Sequence, residues 1–140
     1  MGFEHRVTAR FHEVDRAGIV FFGRAFEYAH VCFEEMLHAA FGRGPALFEG
    51  LPFGLPLVHA EADYAAPIRQ ADRLVVRLVV DRLTARSVTF AYDIVGEDDG
   101  VHRVTVRLKH AFIELPAFVP CEAPEAFGAG LKRLQLLPDG

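Results

Sequence analysis

The stretch FHEVDRAGIVFFGRAFEY, residues 11–28, places a carboxylate, Asp15, shortly ahead of a long apolar helical pattern, with glycines at Gly18 and Gly23. That arrangement suits attack on a carbonyl. A helix N-terminus presents backbone N–H groups with no intrahelical acceptor, together with the positive end of the helix dipole. Such groups can hold a developing oxyanion. A carboxylate just upstream can attack the carbonyl polarised there, or direct water at it. Gly23 removes a side chain where the substrate carbonyl would approach. A plainer reading stays open beside this one: an Asp before a helix also serves as a cap or a solvated loop charge.

Other constellations are missing. The chain has no GxSxG, Walker loop, HExxH, or GxGxxG after a strand. Its seven histidines, at 5, 12, 30, 38, 59, 102 and 110, never pair at metal-ligand spacing, so no metal site is expected. Ser87, the only serine, lies beside a turn with no histidine near it in sequence, which disfavours a serine nucleophile. Cys32 and Cys121 form no CxxC or metal spacing. Cys32 reads as a packed thiol inside a helical pattern, in keeping with a reducing, cytoplasmic setting.

The elements that must position Asp15 follow from periodicity. Residues 6–11 alternate apolar and polar, as a half-buried strand does. From Gly23 to about Phe41 the period becomes helical: Phe26, Ala29, His30, Phe33, Leu37, Ala40 and Phe41 form one stripe. Ala25, Tyr28, Val31, Cys32 and Met36 widen it past half the circumference, so other structure should wrap this helix. Gly42 and Gly44-Pro45 supply its stop. Residues 45–56 read as a Pro/Gly-punctuated connection. Strands are expected at 57–66, 74–83, 87–95 and 101–115, with GEDDG at 96–100 as a hairpin turn. On the last strand Val104, Val106, Leu108, His110 and Phe112 share one side. Arg103, Arg107 and Lys109 share the other, facing solvent or an assembly. A short helix over about 124–134 closes the chain. Short links make consecutive strands antiparallel neighbours. The expected architecture is α+β, a five-stranded antiparallel sheet curved around one long central helix. A dimer would cover its remaining face and edges.

Bulk composition fits one soluble domain spanning 1–140, with a core over about 5–115 and a C-terminal extension over 116–140. The sequence is 51% hydrophobic and 24% charged, with no apolar run long enough for a spanning helix and no signal-peptide pattern. A net charge of −4 argues against a general nucleic-acid binder but leaves room for an anionic small ligand at a local basic cluster.

The segment Val14-Asp15-Arg16-Ala17-Gly18-Ile19-Val20-Phe21-Phe22, followed by a helix containing Glu34-Glu35-Met36-Leu37, resembles the signature of the 4-hydroxybenzoyl-CoA thioesterase family. Tyr64-Ala65-Ala66-Pro67, with Asp72 and then Leu74, matches a second family feature, and the likeness runs over roughly residues 5–115. The resemblance implies the hotdog fold and an acyl-CoA thioesterase. It implies Asp15 as nucleophile, through a mixed anhydride, or as general base. The N–H of Phe22 is implied to polarise the thioester carbonyl, at a site on a dimer interface. Gly18, Phe22, Gly23, Phe26 and His30 are the expected substrate-binding residues. Arg82, Arg86 and Ser87, around a tight turn, are expected to hold the phosphates of CoA, unless they are an ordinary solvated hairpin tip.

Two positions depart from the family pattern. Glu13 stands where many relatives have a second Asp, and reads as accessory or structural. His30 stands where hydroxybenzoyl-type enzymes carry an acidic residue, which puts that substrate in doubt; a packed core histidine is the other reading. No cofactor is expected, since CoA belongs to the substrate. The acyl-CoA partner is expected without nucleic acid or membrane, on a homodimer or dimer of dimers. An acyl-carrier-protein thioesterase is disfavoured by the acidic balance of both partners. A hotdog hydratase would pair Asp with His in a motif this chain lacks. A non-catalytic acyl-ligand-binding or scaffold dimer is the alternative from another class.

Overall fold

A computed structural model describes residues 2–43 and 51–138. Strand β1 spans Phe3–Thr8, a 3-10 turn follows at Phe11–Glu13, and helix α1 covers Arg24–Phe41. Gly42 caps α1 at φ +105°, a conformation that favours glycine, and donates to His38 O at 2.9 Å. The expected stop at Gly44-Pro45 lies outside the described residues. Then come β2 (Phe53–Gly54), β3 (Leu57–Tyr64), β4 (Arg73–Leu83), β5 (Ser87–Gly96) and β6 (His102–Ala111). Short β7 (Ile113–Glu114) and β8 (Val119–Pro120) precede helix α2 (Glu125–Arg133). The single strand read over 101–115 is thus two, with the break at Phe112. Its second piece joins β2 and β8 in a small three-stranded sheet that the sequence did not announce.

The main sheet is antiparallel and five-stranded, ordered β1-β4-β5-β6-β3. This corrects one expectation. β3 and β4, joined by a short link, are not neighbours; β5 and β6 lie between them. The link, residues 65–72, crosses the end of the sheet because its backbone is bonded to the tips it passes. The N–H groups of Ala65 and Ala66 donate to Arg103 O at 2.8 and 3.1 Å, and that of Val20 donates to Ile68 O at 2.7 Å. Ala71 N–H then donates to Ala9 O, and Ala9 N–H to Asp72 O, each at 2.9 Å.

Helix α1 packs its small and sulfur-bearing face on the sheet. Ala25, Ala29, Cys32 and Met36 are buried, as are Val76, Phe90, Tyr92 and Val106 of β4, β5 and β6. Cys32 Sγ lies 3.7 Å from Val76 O, and burial pushes its thiol up to about 12, an inert packed thiol as expected. Phe33 meets Phe90 at 5.6 Å between ring centroids. The stripe drawn from sequence is therefore rotated. Phe26 is half-buried, while His30 and Val31 are exposed, facing edge strand β3 across a cavity also lined by Leu57, Ala60 and Leu108. Phe127 and Leu131 of α2 are fully buried, and Phe127 packs on Phe41, Phe53 and Phe112.

Arg103 also corrects the sequence reading. It is 8% exposed rather than on a solvent or assembly face with Arg107 and Lys109. Its guanidinium donates to Val101 O at 2.8 Å and to Asp99 at 3.1 Å, and lies 3.6 Å from Asp72. These contacts tie the 65–72 crossover to the β5–β6 hairpin.

Candidate active site

Asp15 opens a hairpin. Its N–H donates to Ile19 O at 2.8 Å, its carbonyl accepts Gly18 N–H at 3.0 Å, and Val14 bridges Val20. This is a tight turn closed by a left-handed residue, and Gly18 supplies the φ of +81° it needs. Asp15 Oδ1 accepts Ala17 N–H at 2.8 Å, an Asx turn that steers the carboxylate. The hairpin is stitched to the crossover by the Ile19–Arg69 bridge and the Val20–Ile68 bond.

Between these two segments lies a mostly apolar cavity of about 440 Å³. One wall is Asp15 with Ile19, Val20, Phe21 and Phe22; the other is Tyr64 to Ile68, with Ala25 and Val104 at the base. The head of α1 abuts it. Arg24 N–H donates to Phe21 O at 2.9 Å and Ala25 N–H to Phe22 O at 3.4 Å. The N–H groups of Phe22 and Gly23 donate to no acceptor among the described residues. A carboxylate, Asp15, and Phe22, which carries one of the two unengaged amides, thus line one concave site at a helix N-terminus, with the Gly23 amide next along the chain.

The structure brings together only part of the expected set. Asp15 and Phe22 line this cavity, and Gly18 and Gly23 shape its loop. Gly23 has helical angles, φ −65° and ψ −22°, and a Cβ there would meet the Phe21 ring at 3.3 Å. Its smallness therefore accommodates Phe21 rather than leaving open space. Phe26 and His30 do not line this cavity; both face the second one, beside β3. Arg82, Arg86 and Ser87 lie at the opposite end of the sheet. Ser87 pairs with Ala111 and the cavity holds Val104, seven residues along β6, or about 23 Å at the usual strand rise. The Ser87 hydroxyl is 2.8 Å from Thr84 Oγ1, which also accepts Ser87 N–H at 3.0 Å. This turn is held by its own residues and by the N–H groups of Phe112 and Ala123, which donate to Arg86 O and Ala85 O, and within one chain it does not approach Asp15.

Other side chains resolve into structural work. Glu13 Oε1 accepts Arg10 N–H at 2.7 Å and Tyr28 Oη at 2.8 Å, clamping the 3-10 turn to α1. His59 is exposed, 3.3 Å from Glu61. His110 is 3% exposed, with Nδ1 2.9 Å from Leu55 O and its ring stacked on Phe33 at 4.7 Å. Tyr64, quoted from sequence only as part of a motif, reaches the site itself: its Oη donates to Phe22 O. Nothing in its local pattern signalled this bond, because its partner lies 42 residues earlier. No group of three or more His, Cys, Asp or Glu able to hold a metal occurs among the described residues. No helix there is long and apolar enough to cross a membrane.

A family model described as the thioesterase superfamily matches residues 17–102, 86 of the 140 in the chain. The chain belongs to the thioesterase superfamily, and its α+β architecture with a five-stranded sheet is the hotdog fold. More narrowly, it is similar to 1,4-dihydroxy-2-naphthoyl-CoA hydrolases. That of Synechococcus sp. (strain CC9311) is 35% identical over 126 residues, covering 84% of this chain and 81% of its own. That of Nostoc punctiforme is 26% identical over 125 residues, covering 89% and 83%. The crystal structure of a 1,4-dihydroxy-2-naphthoyl-CoA thioesterase from Synechocystis aligns with a TM-score of 0.85 at 25% identity, covering 99% of this chain and 100% of its own. The thioesterase fold and activity class expected from the resemblance agree with this superfamily, while the narrower 4-hydroxybenzoyl-CoA family is not what the match names. These relatives are named for a dihydroxynaphthoyl rather than a hydroxybenzoyl thioester.

Proposed function

We propose that this chain hydrolyses an aryl or short acyl-CoA thioester to the free acid and CoA, with Asp15 attacking the carbonyl or activating water toward it. The observation that carries this reading is the placement of Asp15 on an apolar cavity beside two unengaged amides at the head of α1. As the carbonyl becomes tetrahedral, its oxygen gains charge, and the Phe22 and Gly23 N–H groups can donate hydrogen bonds to it. Collapse of that species expels the CoA thiolate, which takes up a proton. Water supplies the second oxygen of the acid, either directly or by opening an Asp15 anhydride. The chemistry needs no metal or redox cofactor. The cavity's volume falls in the ordinary range for small-molecule sites, and the relatives' names make 1,4-dihydroxy-2-naphthoyl-CoA the first aryl thioester to try.

The reading includes a second copy of the chain. Among the described residues edge strand β3 has no strand partner on one side and exposes Leu57 and Val58, and the cavity holding Phe26 and His30 opens beside it. A partner joined there would close that cavity and could bring its own Arg82, Arg86 and Ser87 toward the CoA. One observation favours a non-catalytic acyl-binding role instead: Asp15 Oδ1 already serves the turn by accepting Ala17 N–H.

Free-thiol release from a panel of acyl-CoAs, acetyl to palmitoyl plus benzoyl, hydroxybenzoyl, phenylacetyl and dihydroxynaphthoyl, separates the two. The expected result is turnover of an aryl or short ester that drops at least ~100-fold in Asp15→Asn, the scale of one acid–base group. Binding without turnover, unaffected by that substitution, would select the non-catalytic role.

A further inference from the structure

Two peptide units carry the unengaged amides at the head of α1, and each is oriented through its carbonyl. The Phe21–Phe22 unit is held by Arg24 N–H, which donates to Phe21 O at 2.9 Å in the manner of a helical turn. The Phe22–Gly23 unit has only a long bond of that kind, from Ala25 N–H at 3.4 Å. Its close partner is the phenol of Tyr64, which reaches over from the end of β3. Because a peptide unit is planar, fixing the Phe22 carbonyl also fixes the direction of the Gly23 N–H on the same plane. Gly23 makes this tether matter, since a glycine opposes rotation less than any other residue.

We infer that Tyr64 is a positioning residue, whose hydrogen bond to the Phe22 carbonyl aims the Gly23 amide at the reacting carbonyl of the substrate. This rests on the thioesterase reading above and adds to it a residue outside the Asp15 loop. β3 holds Tyr64 in register opposite Val104, a residue at the cavity base, so the tether is anchored in the sheet. The ring is 49% exposed, so its hydroxyl can be removed without opening a core cavity. Partial burial raises the phenol's pKa, which keeps the hydroxyl protonated as a donor.

The test is Tyr64→Phe, which keeps the ring on the cavity wall and deletes the donor. With the best acyl-CoA of the panel, kcat is expected to fall about tenfold, the weight of one ordinary hydrogen bond. KM should stay within about twofold, and the pH profile should keep its shape. In a 15N–1H correlation spectrum the Gly23 amide should shift while amides of the β4–β5 core stay in place. An unchanged kcat in Tyr64→Phe, in a preparation where Asp15→Asn abolishes turnover, would overturn the tether while leaving the thioesterase intact. A loss of the high-pH limb of the profile in Tyr64→Phe would also overturn it, since the phenol would then be transferring protons itself. Wild type that turns over no thioester would remove both ideas together.

Discussion

Asp15 projects from a turn that depends on a neighbour with no side chain. Gly18 holds φ +81°, where an L-residue is strained, and the Asx bond to Ala17 then fixes the direction of the carboxylate. A different residue, His110, sets how the chain answers acid. Its Nδ1 bonds to Leu55 O, which can only accept, so the ring carries its proton there and Nε2 has no partner among the described residues. Burial lowers the pKa of His110 below its ordinary value, the Leu55 bond opposes that in part, and His30 adds to it. The folded chain thus prefers the neutral ring, while the unfolded chain takes up a proton near pH 6.5. Stability from this group is in place above that pH. It is lost as pH falls from about 6.5 toward the lowered folded value, by up to about 1.4 kcal/mol per pH unit. Urea midpoints measured between pH 7 and pH 5 should therefore fall more steeply for wild type than for His110→Phe. Equal slopes would assign the loss to other histidines.

The crossover over residues 65–72 is the segment that builds the cavity, and Arg103 is its clasp. The backbone carbonyl of Arg103 takes two amides from the link, and its side chain meets Asp72 at the link's far end. Arg103→Met takes from Val101 O one of its two donors, leaving the Gly96 N–H, and leaves two carboxylates without their cation. It should cost about 1–3 kcal/mol, which for this chain length lowers the melting temperature by on the order of 4–12 °C. Differential scanning calorimetry would read it, and an unchanged melt would show the clasp to be redundant. This segment also marks where the sequence stopped being legible. The periods of α1, β4, β5 and β6 were readable because each is long and amphipathic, and GEDDG announced its hairpin through its turn residues. The identity of β3's neighbour was not readable, since a short link looks alike whether it reverses the chain or crosses a sheet end. Pattern reports which residues want burial, not who buries them. For that reason the apolar stripe was drawn through His30, which is exposed, and Arg103 looked like a surface cation. The place of Asp15 in a loop just ahead of α1 was legible from the sequence, whereas Tyr64's bond to Phe22 is a product of tertiary structure.

The open edge at β3 is where the proposed second copy of the chain would join. An exposed strand edge with Leu57 and Val58 on it invites pairing with an identical edge. Light scattering should give the mass of two or more 15.6 kDa chains. Placing like charges on that edge with Leu57→Lys and Val58→Lys should shift the mass to that of one chain and abolish thioester turnover with it. Persistent dimers in that variant would move the interface elsewhere.

The order β1-β4-β5-β6-β3 has a consequence for how the chain is born. Both early strands, β1 and β3, pair only with later ones: Phe3 of β1 lies opposite Leu78, and Tyr64 of β3 opposite Val104. During synthesis at ~5–20 residues per second, β1 waits roughly 4–15 s for its partner to be made. Throughout that interval the apolar face of α1 has no sheet to lie on. The contiguous meander β4-β5-β6, the last part of the main sheet to be made, is able to close on itself at once, and it must then gather in everything translated before it. A nascent chain stalled before residue 73 should therefore be a strong client for chaperones that hold exposed hydrophobic helices.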